Sequence, residues 1–449
     1  MWEKVKKMQL PVLITMMTVT ILIKTIATMV GGNYLYADGA NHLYGILRSG
    51  EAIHNIGGRQ GSFFLMELLI ATALKLGVNN IKILCILYGM GSVIWLGVFI
   101  LLAMHLCKKY EKGQFITILA ILYVLVNIFT GFFTAIESIT AVGVYCFLLC
   151  YYMFSQIKQD WQYRIISLIL LCMLPVMNEY FVGYSPVLLL VLVLRFARER
   201  KRIYLVEWGS HIVVNILTTY ASYMAATQGA STSSLKMSIQ TLPEKKYYWI
   251  LLGHILITLL VAILFGIVKN KIVLAIGIIL SLISIGWLAA TVYLIPNQVA
   301  TVSFSMRIMN LVLPMVIGMF CIMLWLFSID IQYILSVMAI LFMLISCVYD
   351  VNVSGAYHDY LIRINMLNQE KNGFFELGET DLDRTFCWGW SLPMESFLAQ
   401  CLQGETVIDS NLIYRYNMQQ WEAFDSDNID AYADLARYGI QINKEAFQQ

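Results

Sequence analysis

The chain has 449 residues, of which 59% are hydrophobic and 13% charged, with a formal net charge of +2. Its mean hydropathy is +0.71. A soluble single-core protein is excluded by repeated apolar runs of about 20 residues, the length that a bilayer core demands. A nucleic-acid binder is excluded by the near balance of charge and by the absence of a basic stripe.

Apolar runs able to span a bilayer fall at 10–30, 83–106, 115–134, 139–156, 164–178, 180–197, 204–226, 249–268, 272–295, 309–328 and 332–349. They predict an all-α polytopic membrane protein of about 11 transmembrane helices. The amino-terminal run follows MWEKVKK and lacks a small-residue cleavage site, so it reads as a retained anchor. Ser62 to Leu76 is short and carries Glu67 and Lys75. It is expected to lie flat in the membrane interface, together with a helix over Ala37 to Leu47.

With that segment in the interface, the clusters at Lys4–Lys7, Lys108–Lys112 and Arg195–Arg202 all fall on one side, which the positive-inside rule makes cytoplasmic. Basic residues on the opposite face are fewer. The amino terminus is therefore expected inside, and the carboxyl-terminal segment outside a bacterial plasma membrane. Composition turns soluble near Asp350, which divides the chain into a membrane domain, 1–349, and an extracytoplasmic α or α/β domain, 350–449. Of nine cysteines, only Cys387 and Cys401 lie in this polar tail, as a disulfide or as free thiols. The motif GMGSVIWLG sits inside an apolar span and reads as a helix-packing surface rather than a phosphate loop.

The first outer loop, 33–82, concentrates polar chemistry. In NYLYADGANHLYGILRSGEAIHNIGGRQG, Asp38 stands at a helix start, where a carboxylate either caps free N–H groups or stays available for chemistry. His42, Arg48, Glu51, His54, Arg59 and Gln60 follow. Glycines bracket Arg59, which suits a phosphate or a lipid headgroup. Beyond the loop, Glu137 precedes the fourth span, as a second site acid or as a partner of the helix dipole. Glu179 interrupts two short spans, as a substrate contact or as a partner of Lys24. Arg307 opens a late span in SFSMRIMNLVLP.

This order of elements, over residues 5–200 and 300–315, resembles the GT-C fold of integral-membrane glycosyltransferases of the mannosyl- and arabinosyl-transferase type, which use polyprenyl-phosphate sugars. RQGSFFLMELLIATALKLGVNNIKIL is similar to the family's G-x-P-P-L segment, without its prolines and with Lys82 in place of the usual arginine. SFSMRIMNLVLP is similar to the family's R-Y-x-x-P stretch, with Ile308 at the tyrosine. The resemblance implies Asp38 as general base for transfer from a polyprenyl-phosphate-linked sugar to a glycan or lipid acceptor. Arg307 and Arg59 would bind the lipid phosphate, with His42, His54, Arg48, Glu137 and Glu179 as further substrate contacts. A divalent cation, magnesium or manganese, is compatible with such chemistry, but no His or Asp cluster at ligand spacing supports one. Two other readings stand beside it: a polysaccharide or lipid transporter or flippase, and a polymerase or ligase with a lipid-diphosphate donor.

Overall fold

The protein is described by a computed structural model over residues 2–51, 59–130, 137–156, 161–177, 181–198, 202–228, 299–328, 332–382, 386–387, 389, 391–413 and 435–447, with isolated positions between 253 and 283. At several helix ends, including Glu137 and residues 299–309, only the backbone is described.

The described chain is mostly helical. Its long helices are α1 (Trp2–Gly31), α4 (Ile81–Lys109), α5 (Gly113–Thr130), α6 (Glu137–Phe154), α7 (Trp161–Met173), α8 (Phe181–Arg198), α9 (Arg202–Gln228), α10 (Val299–Phe327) and α11 (Gln332–Glu370). Two shorter helices, α2 (Asp38–Ser49) and α3 (Gln60–Lys75), lie between α1 and α4. Among the described residues, three stretches are long and apolar enough to cross a membrane: Leu10–Gly31, Ile81–Lys109 and Leu335–Glu370. Shorter apolar helices pack beside them.

Exposed side chains on these helices are apolar at helical spacing. On α1 they are Val12, Val19, Leu22, Ile26 and Val30; on α11, Val337, Leu341, Leu344, Val348 and Val351. A continuous apolar stripe on the outside of a bundle fits hydrocarbon rather than water.

Directions follow from the contacts. Tyr34, just past α1, packs on Tyr88 with ring centroids 6.4 Å apart, and Ile21 fills the space over Gly97, so α1 and α4 are antiparallel. Between α1 and α11, Thr20 meets Cys347, Lys24 meets Asp350 and Gly31 meets Ser354, which makes them parallel. Along α6 and α10, Ser138 meets Asn310 and Tyr145 meets Gly318, again in parallel. The bundle thus has one end at Gly31, Glu137 and Asn310, hereafter the capped end.

Helix α3 corrects the expectation of a segment lying flat. Trp95 Nε1 donates to the Leu65 carbonyl at 2.7 Å, and the Met66 carbonyl presses on Gly91, where a side chain would collide with it. Both contacts lie nine or more residues from the helix ends that the α3–α4 turn joins, so α3 runs antiparallel along α4. The physical reason is the small-residue surface of GMGSVIWLG, which lets two helix backbones approach closely.

The compositional change at Asp350 falls within a continuous helix. Helix α11 runs through it for 39 residues. Beyond its end, β1 (Gly373–Glu376), α12 (Leu392–Gln403) and β3 (Ser410–Ile413) form a parallel β-α-β unit, and β2 (Val407–Ile408) pairs in parallel with β4 (Gln441–Ile442). Asn368 fastens α11 to this unit: its Nδ2 donates to Ser396 Oγ at 2.9 Å, and its carbonyl accepts from Ser410 Oγ at 2.6 Å. Cys387 and Cys401 are free thiols. Cys401 is buried in α12 near Cys85, whereas Cys387 contacts Tyr360 at 3.3 Å, so the two face different neighbours.

Candidate functional site

The expected helix over Ala37 to Leu47 is present as α2, one residue later at its start. The apolar face of α2 is buried from both sides. Leu43, Ile46 and Leu47 lie in the core, and Tyr44 packs edge-on against Phe397 of α12 with centroids 5.7 Å apart. The segment after α11 therefore covers the loop that joins α1 to α3. At the far end of α2, Arg437 Nη2 donates to the Arg48 carbonyl at 2.5 Å.

Asp38 is the first residue of α2, not its cap. The N-cap position belongs to Ala37, whose side chain can cap nothing. Ala37 also has φ 52° and ψ −119°, a region that side-chain-bearing residues rarely enter. Such a residue costs of order 1–3 kcal/mol and persists only where its surroundings over-determine it. Here the determinant is Glu395. Its Oε1 accepts from Ala37 N–H at 3.1 Å and from Ser391 Oγ at 2.7 Å, and its Oε2 accepts from Tyr357 Oη at 3.2 Å. A capping box normally draws a glutamate from the third residue of the same helix back to the N-cap amide. At α2 the carboxylate arrives from another helix, 358 residues along the chain.

Burial dominates the electrostatics. Glu395 is fully buried, and loss of solvent pushes its carboxyl up to about 7, against the opposing pull of its three hydrogen bonds. Tyr36, one residue before Ala37, is pushed further up still, first by burial and then by the charge of Glu395. Its hydroxyl stays neutral and remains a donor. The Tyr36 ring meets Tyr357 edge-on at 6.2 Å, and Tyr357 and Tyr360 pack on Phe386. An aromatic wall thus backs the loop that presents Asp38.

His42 lies one turn after Asp38 on the same face of α2. It is buried, with its ring 4.5 Å from that of Phe63 in the first turn of α3. Arg59, the residue before α3, is 9% exposed. Ser62 Oγ donates to the Met177 carbonyl at 2.8 Å, which joins the start of α3 to the turn after α7. The starts of α2 and α3 therefore meet through His42 and Phe63, with Asp38 on one helix and Arg59 on the other.

Glu137 opens α6, beside Ser138, whose Oγ accepts from Asn310 Nδ2 at 3.1 Å. Arg307 lies in α10 one turn before Asn310. Their backbones are therefore neighbours at the capped end. Tyr184 of α8 donates to the Asn310 carbonyl, which draws a third helix to the same place. Arg48 is exposed at the other end of α2. His54 and Glu179 lie outside the described residues.

Lys24 is paired with Asp350, Nζ to Oδ1 at 2.8 Å, and both side chains are nearly inaccessible. The helix that supplies this partner is α11, parallel to α1, whereas the expected pairing of Lys24 with Glu179 falls outside the described residues. Among the described residues, no three His, Cys, Asp or Glu side chains gather as a metal-holding group. Sequence reasoning missed Glu395, Tyr357 and Ser391. Their one signal was the acid in SLPMESFLAQ, placed in the first turn of an amphipathic helix, where it reads as an ordinary dipole partner.

Compared with known protein families, curated proteins and solved structures, the chain matches none.

Proposed function

We propose that the protein is a membrane glycosyltransferase of the GT-C type, which moves a sugar from a polyprenyl phosphate to a glycan or lipid acceptor at the extracytoplasmic face. The observation that carries this reading is Asp38. It is a carboxylate at the tip of a short helix, directly after the strained backbone of Ala37, which Glu395 holds in place. Its neighbourhood supplies a buried arginine at the adjoining helix start. In this reading the amino terminus is cytoplasmic and the capped end outside, a placement supported by the basic clusters at Lys108–Lys112 and Arg195–Arg202.

In this reading an acceptor hydroxyl attacks the anomeric carbon and gives its proton to Asp38 as the new glycosidic bond forms. The bond from that carbon to the lipid phosphate breaks, and the phosphate departs with the electron pair. Base catalysis of this kind supplies roughly 100- to 10,000-fold. Arg59 and Arg307 carry the charge that develops on the phosphate. His42 shapes the floor beside Asp38, while the α12 segment and α2 keep the acceptor close to the donor. Holding both substrates in one cleft contributes more than the base alone, about 7–11 kcal/mol.

The test is sugar transfer from a panel of polyprenyl-phosphate sugars by the purified protein in nanodiscs, wild type against Asp38→Asn at matched folding. Transfer that drops by roughly 100-fold or more in the variant supports the reading. Equal activity in both removes Asp38 as base. If no donor is used while labelled lipid-linked sugar crosses the bilayer, the chain is a flippase.

A further inference from the structure

We propose that Glu395, carried on α12 from the carboxyl-terminal segment, is the positioning residue of the site, fixing Asp38 through the main chain of Ala37. The inference rests on Asp38 being the base and adds a residue that the sequence reading did not assign. Three facts converge on it. Ala37 occupies a backbone conformation that an alanine does not hold unaided. The group that holds it is one carboxylate oxygen, at 3.1 Å from the amide. That carboxylate is itself fixed by Ser391 on its own helix and by Tyr357 on α11, so it cannot follow the loop if the loop relaxes.

The geometry makes Asp38 sensitive to Glu395 without any contact between them. Rotation about the Ala37 bonds swings everything that follows, and Asp38 is the next residue. Removing the acceptor leaves a buried N–H unsatisfied, a cost comparable to the strain at Ala37. The loop then settles elsewhere, and a displacement of about 1 Å at a reacting group can lower the rate 100-fold. Glu395 touches no reacting atom in this scheme. Its effect appears in kcat, since acceptor and donor still bind.

The experiment uses full-length protein in nanodiscs, with Glu395→Ala and Glu395→Gln against wild type. Hydrogen exchange is followed in the peptide spanning residues 33–39 and transfer kinetics are measured in parallel. Glu395→Ala is expected to speed exchange at this peptide and to lower kcat roughly 10- to 100-fold with KM held within about twofold. Glu395→Gln restores both, because its amide oxygen still accepts from Ala37 N–H. If Glu395→Ala fails to fold, Tyr357→Phe, which frees one carboxylate oxygen, takes its place with the same signs and smaller changes. Unchanged exchange in a folded Glu395→Ala protein overturns the inference whatever the activity. Changed exchange with no transfer by wild type instead overturns the transferase reading and leaves the hold on Ala37 standing. Transfer that requires Asp38 but is indifferent to Glu395→Ala overturns the positioning role alone.

Discussion

The ion pair between Lys24 and Asp350 offers the sharpest test of how the bundle is assembled. Both side chains are almost fully enclosed, at 4% and 0% exposure, and Asp350 also receives Ser346 Oγ at 3.4 Å. Replacing Asp350 by Asn removes the carboxylate that meets the buried Lys24 ammonium at 2.8 Å. Breaking a buried pair from one side costs about 3–5 kcal/mol, because the remaining charge stays desolvated after losing its paired carboxylate. Replacing both partners, Lys24→Met with Asp350→Leu, removes both desolvation penalties and is expected to be neutral within about 1 kcal/mol. The assay is reversible unfolding of the purified protein in mixed micelles, read as a double-mutant cycle. Either single variant should lose more than the double. If the double variant loses as much as the singles summed, the two charges are not coupled, and the pairing of α1 with α11 described above is refuted.

Two further outcomes follow from the packing and the charges. Among the described residues, Glu395 meets Ser391, Tyr357 and the Ala37 amide, with Tyr36 and Tyr360 close by, none of them a cation. Its carboxyl is raised from an ordinary 4.5 to about 7, so the folded chain binds the proton more tightly than the unfolded chain. The resulting stability is complete below about pH 4.5 and declines by about 3 kcal/mol as pH rises to about 7; urea titrations across that range should show the slope, and Glu395→Gln should flatten it. At Gly91, a valine would meet the Met66 carbonyl, which is backbone and cannot turn aside. Gly91→Val is expected to cost at least 1–3 kcal/mol and to lower Tm, while the same change at Gly355 of α11, where no atom of the described residues lies within 4 Å, should do neither.

How far the sequence reaches can be judged residue by residue. Helix α2 was legible because Asp38 and the spacing of Leu43, Ile46 and Leu47 mark an amphipathic turn-start and face. Glycines in GMGSVIWLG signalled close packing, and Gly89 and Gly91 do admit Tyr34 and the Met66 backbone. What a glycine cannot reveal is which partner it admits, so α3 was read as lying flat from its length and its two charges. Lys24 announced itself as a costly residue within a span. Its contact with Asp350 was illegible because the change of composition there suggested the end of a helix that in fact continues. Glu395 was illegible for a different reason. Its contact with Ala37 is long-range, and neither residue type nor periodicity encodes a bond to a backbone amide. The strain at Ala37 is equally silent, since an alanine within YADGA gives no hint of a positive φ.

The continuity of α11 has a consequence of phase. A 39-residue helix is a rod of about 58 Å, long enough to cross a bilayer and still rise into the segment beyond. Met343, Asp350, Tyr357 and Ile364 are all buried and recur every seven residues, so they form one seam down that rod. The anchor at Lys24 and the support beneath Glu395 are thus two stations on a single seam, two turns apart. Each residue added to a helix advances the chain by about 1.5 Å and turns it by about 100°. A one-residue insertion between Asp350 and Tyr357 would therefore keep both side chains and every helical hydrogen bond, yet point Tyr357 away from Glu395. The distance between membrane and site is counted in residues along this seam, and the count admits no remainder.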